Sequence, residues 1–187
     1  MTKKIIRAID IVLAIMGLLL LWPLMLLIYI VGFFDTGSPV FFQARLGRNK
    51  TAFTLLKFRT MHKSTSSVAT HEVPAASITP LGSILRKTKL DELPQLINVL
   101  KGDMSLVGPR PCLPTQIELI AARDALGVFD AVPGITGLAQ INGIDMSVPV
   151  RLAEWDQRMI RDLSIATYFE QIFLTMLGHG SGDRVKR

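Results

Sequence analysis

Residues 11–34 carry no charged side chain, and Asp10 and Asp35 bracket the run. Twenty-four residues at the helical rise reach about 36 Å, more than a hydrocarbon core of about 30 Å. The run is too long for a secretory signal, and no small-residue cleavage site follows Phe34, so it is expected to stay in the mature chain. Beyond it the pattern changes period. Residues 39–43 and 53–59 are rich in Val, Phe, Leu and Thr around the polar turn GRNK, which predicts a short β-hairpin. Residues 64–77 are small and polar and read as a loop. Thr79-Pro80 then opens a helix expected to reach about Lys87. From Asp91, Leu93, Leu96, Ile97 and Leu100 follow helical spacing, with Pro94 in the first turn and Gly102 as the stop. Counted at 100° per residue, Asp91 points away from that apolar stripe and Glu92 lies at its edge. Residues 114–126, 151–163 and 164–177 also read as helices. The second carries Leu152, Trp155 and Met159 on one face, with Arg151, Arg158 and Arg161 elsewhere. In the third, Ile165, Phe169, Ile172, Phe173 and Met176 fit a core or a membrane interface, and core packing is the expectation for most of them.

Two arrangements suit the apolar run. A plain span is the simplest. However, Pro23 sits at its centre, where it removes a backbone hydrogen bond. Lys3, Lys4 and Arg7 flank one end and Arg45, Arg48, Lys50 and Lys57 the other, so neither flank is poor in cations, as a span requires. A hairpin that dips into one leaflet at Pro23 and returns would keep both flanks on the cytoplasmic side. Trp22 and Pro23 are then the membrane-facing candidates.

Charge narrows the partners. The 187-residue chain is 49% hydrophobic with a formal net charge of +6. Residues 36–110 hold eleven Lys or Arg against four acids, an excess of +7, whereas residues 111–187 hold seven against nine. A basic half directly after an apolar run points to phosphate-bearing ligands or anionic lipid. Nucleic acid is disfavoured, because no groove-reading motif is present and only 7% of residues are aromatic. A basic, membrane-anchored lipid-binding scaffold is the non-catalytic alternative, but it leaves the adjacent acids Asp91 and Glu92 unexplained.

The single cysteine, Cys112, excludes an intrachain disulfide and reads as a small buried thiol. His62, His71 and His179 lack metal spacing. The glycine-rich GHGSGD (178–183) follows a helix rather than a strand and reads as a flexible tail. In GPRP (108–111), Pro109 and Pro111 stiffen the backbone on either side of Arg110, whose guanidinium suits phosphate. In KFRTM (57–61), Lys57 and Arg59 share a strand face opposite Phe58. PGITGLAQING (133–143) is a glycine-punctuated loop that allows close backbone approach.

In order, an apolar segment broken by proline, KFRTM, TPLGSILRKTKLDELPQLINVLKGDMSLVGPRP and PGITGLAQING resemble the bacterial sugar transferase family, the small monotopic phosphoglycosyl transferases. The resemblance covers residues 3–177. It implies an α+β, mostly helical fold: a re-entrant helix–break–helix at 1–35, a small cytosolic catalytic domain at 36–177 with a short hairpin and interfacial amphipathic helices, and a basic tail at 178–187. It implies transfer of a sugar 1-phosphate from a UDP-sugar to undecaprenyl phosphate with release of UMP, at the cytoplasmic face of the bacterial inner membrane. It also implies a Mg²⁺ requirement. By resemblance Asp91 is the nucleophile and a Mg²⁺ ligand, and Glu92 is its partner. Substrate binding falls to Lys57, Arg59, Arg86, Pro109, Arg110, Pro111 and Gln140. Membrane lipids are implied partners, and a homodimer stays open. The chain departs from the family where Asn142-Gly143-Ile144-Asp145 replaces a frequent Asn-Gly-Arg, so no nucleotide-sugar role passes to Ile144. The particular sugar is not legible.

Overall fold

A computed structural model describes residues 2–65 and 75–180. His71 and residues 181–187 of the expected tail lie outside them. The first element, α1 (Thr2–Thr36), stays helical through Pro23, so the expected division into two helices is not there. One interior proline deletes a single bond from a 35-residue helix, which its neighbours hold in register.

Both ends of α1 are fixed to the same body. Near the start, Arg7 donates to the carbonyls of Val99 (2.7 Å) and Leu100 (3.1 Å), the C-terminal end of a helix that favours a cation. One turn later Asp10, 2% exposed, accepts through Oδ1 from Ser105 Oγ (3.0 Å), Leu106 N (2.9 Å) and Tyr168 Oη (2.7 Å). At the far end Asp35 accepts from Thr79 Oγ1 at 2.7 Å. Between these clamps Leu19, Leu20, Trp22, Leu27 and Phe34 stand exposed.

The hairpin expected around GRNK forms, with β1 (Val40–Leu46), three residues longer at its end than expected, antiparallel to β2 (Ala52–Phe58) and Val40 opposite Phe58. Its turn places Asn49 and Lys50 at positive φ (55° and 58°). α2 (Pro80–Thr88) starts on Thr79, whose hydroxyl accepts from Gly82 N at 2.9 Å. α3 (Gln95–Lys101) ends on Gly102 at φ 93°. It docks on the free edge of β2 through Asn98, which is wholly buried. Asn98 accepts from Leu56 N (3.0 Å) and donates to Thr54 O (2.8 Å), supplying the edge pairing that a third strand would give.

The expected glycine loop is more ordered than its composition suggests. β3 (Ser105–Val107) pairs in parallel with β4 (Gly134–Thr136), and the short α5 (Leu138–Ile141) follows. Gly134 faces Gly108 so closely that a Cβ on either would run into backbone. α4 (Ile117–Ala125), α6 (Pro149–Arg161) and α7 (Ile165–Met176) complete the domain. As expected, Leu152 and Met159 of α6 are buried, and Arg151, Arg158 and Arg161 are exposed. The core expectation for α7 is overturned: Ile165, Phe169, Phe173 and Met176 are exposed, and Ile172 alone of the five turns inward. Tyr168 and Gln171, which sequence patterning ranks as the more polar face, are buried instead. Tyr168 goes inward because Asp10 accepts a hydrogen bond from its hydroxyl. Burial and that carboxylate push the phenol well above its ordinary range.

Candidate active site

Lys89 ends α2 in the left-handed conformation, φ 58°, and turns the chain directly into a 3₁₀ turn, Leu90–Glu92. A non-glycine there costs roughly 1 kcal/mol, a strain often found beside functional groups. Asp91 and Glu92 therefore sit in a turn of their own, ahead of α3, with Pro94 capping the helix. This corrects the expected placement in the first turn of α3 and away from the core. Asp91 is 7% exposed, tucked into the body. Beneath the turn, Leu90 and Leu93 pack on Phe58 and Leu85 together with Ile28 of α1.

Glu92 meets Arg110. Their Oε1 and Nη2 are 2.7 Å apart and both side chains are largely covered. Arg110 comes from a loop held almost peptide by peptide. Pro109 and Pro111 are buried and fix φ. The four consecutive carbonyls of residues 109–112 each accept a hydrogen bond, in order from Gly134 N (3.0 Å), Arg123 Nη1 (2.8 Å), Arg45 Nη1 (2.9 Å) and Leu46 N (2.9 Å). Arg123 is bound in turn to Asp156 by Nε (2.9 Å) and Nη2 (2.6 Å), both residues being 2% exposed. Burial pushes the Asp156 carboxyl up, and the guanidinium opposes that shift. Burial also raises the Cys112 thiol, so this cysteine is inert packing, as expected.

Lys57 and Arg59 do share a face, opposite buried Phe58. Both cations lie over the Phe41 ring, at 5.4 and 5.1 Å from its centroid, and Arg59 Nε also donates to Ser38 O (2.8 Å). Arg86 is half-buried in the last turn of α2. Gln140 is half-buried on α5, donating to Ile135 O at 3.0 Å, and its buried Oε1 has no donor among the described residues. Trp22 and Pro23 are exposed on α1, as membrane-facing residues require.

Part of the supposed flexible tail is docked. Lys89 Nζ donates to His179 O at 2.8 Å, and Gly180, at φ 65°, lies against the Gln140 carbonyl with no room for a Cβ. The residues that follow α7 thus touch both Lys89, at the start of the turn that carries Asp91, and the segment that carries Gln140. Position 144 also becomes clear. Ile144 is buried with Leu119, Phe129 and Leu152, so it is a core residue and not a ligand group.

Among the described residues no cluster of three or more His, Cys, Asp or Glu converges on a metal position. The Asp91 carboxylate nevertheless has the donor chemistry Mg²⁺ takes, since that ion keeps several waters and binds through one or two carboxylates plus substrate phosphates.

The profile of the family described as Bacterial sugar transferase matches residues 1–180. This chain belongs to the bacterial sugar transferase family. It is 37% identical over 189 residues to the exopolysaccharide production protein ExoY of Sinorhizobium fredii, covering 91% of this chain and 83% of that protein. It is 41% identical over 143 residues to the UDP-glucose:undecaprenyl-phosphate glucose-1-phosphate transferase of Caulobacter vibrioides, covering 74% of this chain and 54% of that one. With the undecaprenyl-phosphate galactose phosphotransferase of Salmonella typhimurium the identity is 37% over 169 residues, covering 80% and 35%. The bacterial sugar transferase therefore spans about half the length of the Caulobacter protein and about a third of the Salmonella one.

Proposed function

We propose that this bacterial sugar transferase moves a sugar 1-phosphate from a UDP-sugar to undecaprenyl phosphate through a covalent intermediate on Asp91. The observation that carries the reading is a buried carboxylate in a strained turn, beside an ion pair that fixes an arginine, on a body to which both ends of an apolar helix return. Each step balances. An Asp91 oxygen bonds to the sugar-linked phosphorus while the bond to the UMP oxygen breaks and UMP leaves. A phosphate oxygen of undecaprenyl phosphate then attacks that phosphorus, which gives the lipid diphosphate sugar and restores the carboxylate.

Glu92 holds Arg110 where it can bind phosphate oxygens as charge gathers on them. Lys57, Arg59 and Arg86 supply further positive charge, and Gln140 offers an acceptor to a substrate donor. Asp91, with Glu92 beside it, would hold Mg²⁺. Bound there, the ion would offset the repulsion between diphosphate and carboxylate. Two anionic substrates handled in turn at one carboxylate require ping-pong kinetics. The test is a panel of UDP-sugars given with undecaprenyl phosphate. One or more of them is expected to release UMP in a Mg²⁺-dependent manner, and silence across the panel would refute the reading.

The membrane arrangement follows from the clamps on α1. Arg7, Asp10 and Asp35 all bind one body, which supports an unbroken helix seated along the cytoplasmic face with both of its ends on the same side of the membrane. The exposed apolar stripe of α7 supports an interfacial position for that helix. Cysteines introduced at Thr2 and Lys50 are expected to react with an impermeant reagent from the same side of sealed vesicles. Labelling from opposite sides would establish a span.

A further inference from the structure

We infer that Arg45 and Arg123 are positioning residues for Arg110, acting as a two-sided clamp on the backbone of the Gly-Pro-Arg-Pro loop; this rests on the proposed role of Arg110 in binding phosphate. The two guanidiniums approach from different elements, β1 and α4, and converge on neighbouring peptides. Arg123 takes the carbonyl of Arg110 itself, and Arg45 takes that of Pro111. The rest of each fork is held rigid. Nε and Nη2 of Arg45 both donate to Gln43 Oε1 (3.2 and 2.7 Å), and Nε and Nη2 of Arg123 both donate to Asp156 Oδ2.

Stability is a poor reason for such an arrangement. Arg45 is 7% exposed and Arg123 2%, and burying a guanidinium carries a solvation cost that an apolar replacement of similar volume avoids. What an apolar side chain cannot do is fix the plane of a peptide. Pro109 and Pro111 already fix φ on both sides of Arg110, and the carbonyl bonds remove the rotation that remains. The guanidinium then projects at one angle, set at 2.7 Å from Glu92. Lysine at 45 or 123 would keep the positive charge but lose the planar fork that binds the partner and the carbonyl together.

A double-mutant cycle separates positioning from support. Arg45→Lys and Arg123→Lys are made in the wild-type protein and in Arg110→Ala, in nanodiscs, and UMP release is followed with the UDP-sugar most active in the panel. In the wild-type background each is expected to lower kcat/KM on the order of 10- to 100-fold, the scale of a misplaced binding group. In Arg110→Ala each is expected to cost less than about twofold, because the group being positioned is gone. Equal losses in both backgrounds would overturn the clamp while leaving the functional reading intact. A wild-type rate for Arg110→Ala alone would remove the role of Arg110 and the clamp with it. Collapse of the melting transition in both lysine variants would make the arginines structural supports and overturn the assignment.

Discussion

Asp91→Asn is expected to reduce UMP release by roughly three orders of magnitude or more, the scale of removing a covalent nucleophile. Asparagine keeps the shape of the side chain but replaces an anionic oxygen with a neutral amide, which does not attack phosphorus at a useful rate. The turn has no evident substitute. Glu92 is one residue on, but its Oε1 is engaged by Arg110 at 2.7 Å, and movement of Glu92 toward phosphorus would abandon that pair. A melting curve close to that of the wild type would separate lost chemistry from lost fold. Asp91→Asn working at near wild-type rate would remove the carboxylate from the reaction.

The second large effect concerns the join between membrane helix and domain. Three donors, Ser105 Oγ, Leu106 N and Tyr168 Oη, converge on one buried oxygen of Asp10. Asp10→Ala orphans all three where water does not readily replace the carboxylate. Taken at the lower end of about 1–3 kcal/mol for each buried unsatisfied group, three of them give an expected loss of about 3–5 kcal/mol. For a chain of this length that lowers the melting temperature by about 10 °C. Asp10→Asn retains Oδ1 as an acceptor and is expected to lose well under half as much. Thermal melts of the three proteins in one detergent or nanodisc provide the measurement. Equal stability of Asp10→Ala and wild type would show that the helix is held elsewhere, at Arg7 or Asp35.

What the sequence made legible was local. Runs rich in Val, Phe, Leu and Thr on either side of GRNK predicted the hairpin, and Thr79-Pro80 marked the start of α2 because capping and proline act within one turn. Long-range pairings left no such trace. Nothing in the neighbourhood of Asn98 says that it will complete the edge of β2, 42 residues away. Nothing local marks Arg45 or Arg123 as buried, since their acceptors are carbonyls 66 and 13 residues distant. Strands of three residues are too short for periodicity, so the β3–β4 pair was hidden inside loops. Helical counting from Asp91 failed for a definite reason: Lys89 in the left-handed conformation starts a separate turn, and the angle between Asp91 and the stripe of α3 no longer holds. In α7 the apolar face was legible but its environment was not, because core and lipid interface select the same side chains. The order of the motifs carried the candidate site, and the geometry now assigns Glu92 and Arg110 to each other.

The most direct measurement is intact-protein mass spectrometry after brief exposure to UDP-sugar and Mg²⁺ without lipid acceptor, quenched under conditions that preserve acyl phosphates. A mass increase of one sugar phosphate on wild-type protein, located to the peptide containing Asp91 and missing from Asp91→Asn, is the predicted result. An unmodified protein that turns over fully once undecaprenyl phosphate is added would contradict the covalent intermediate.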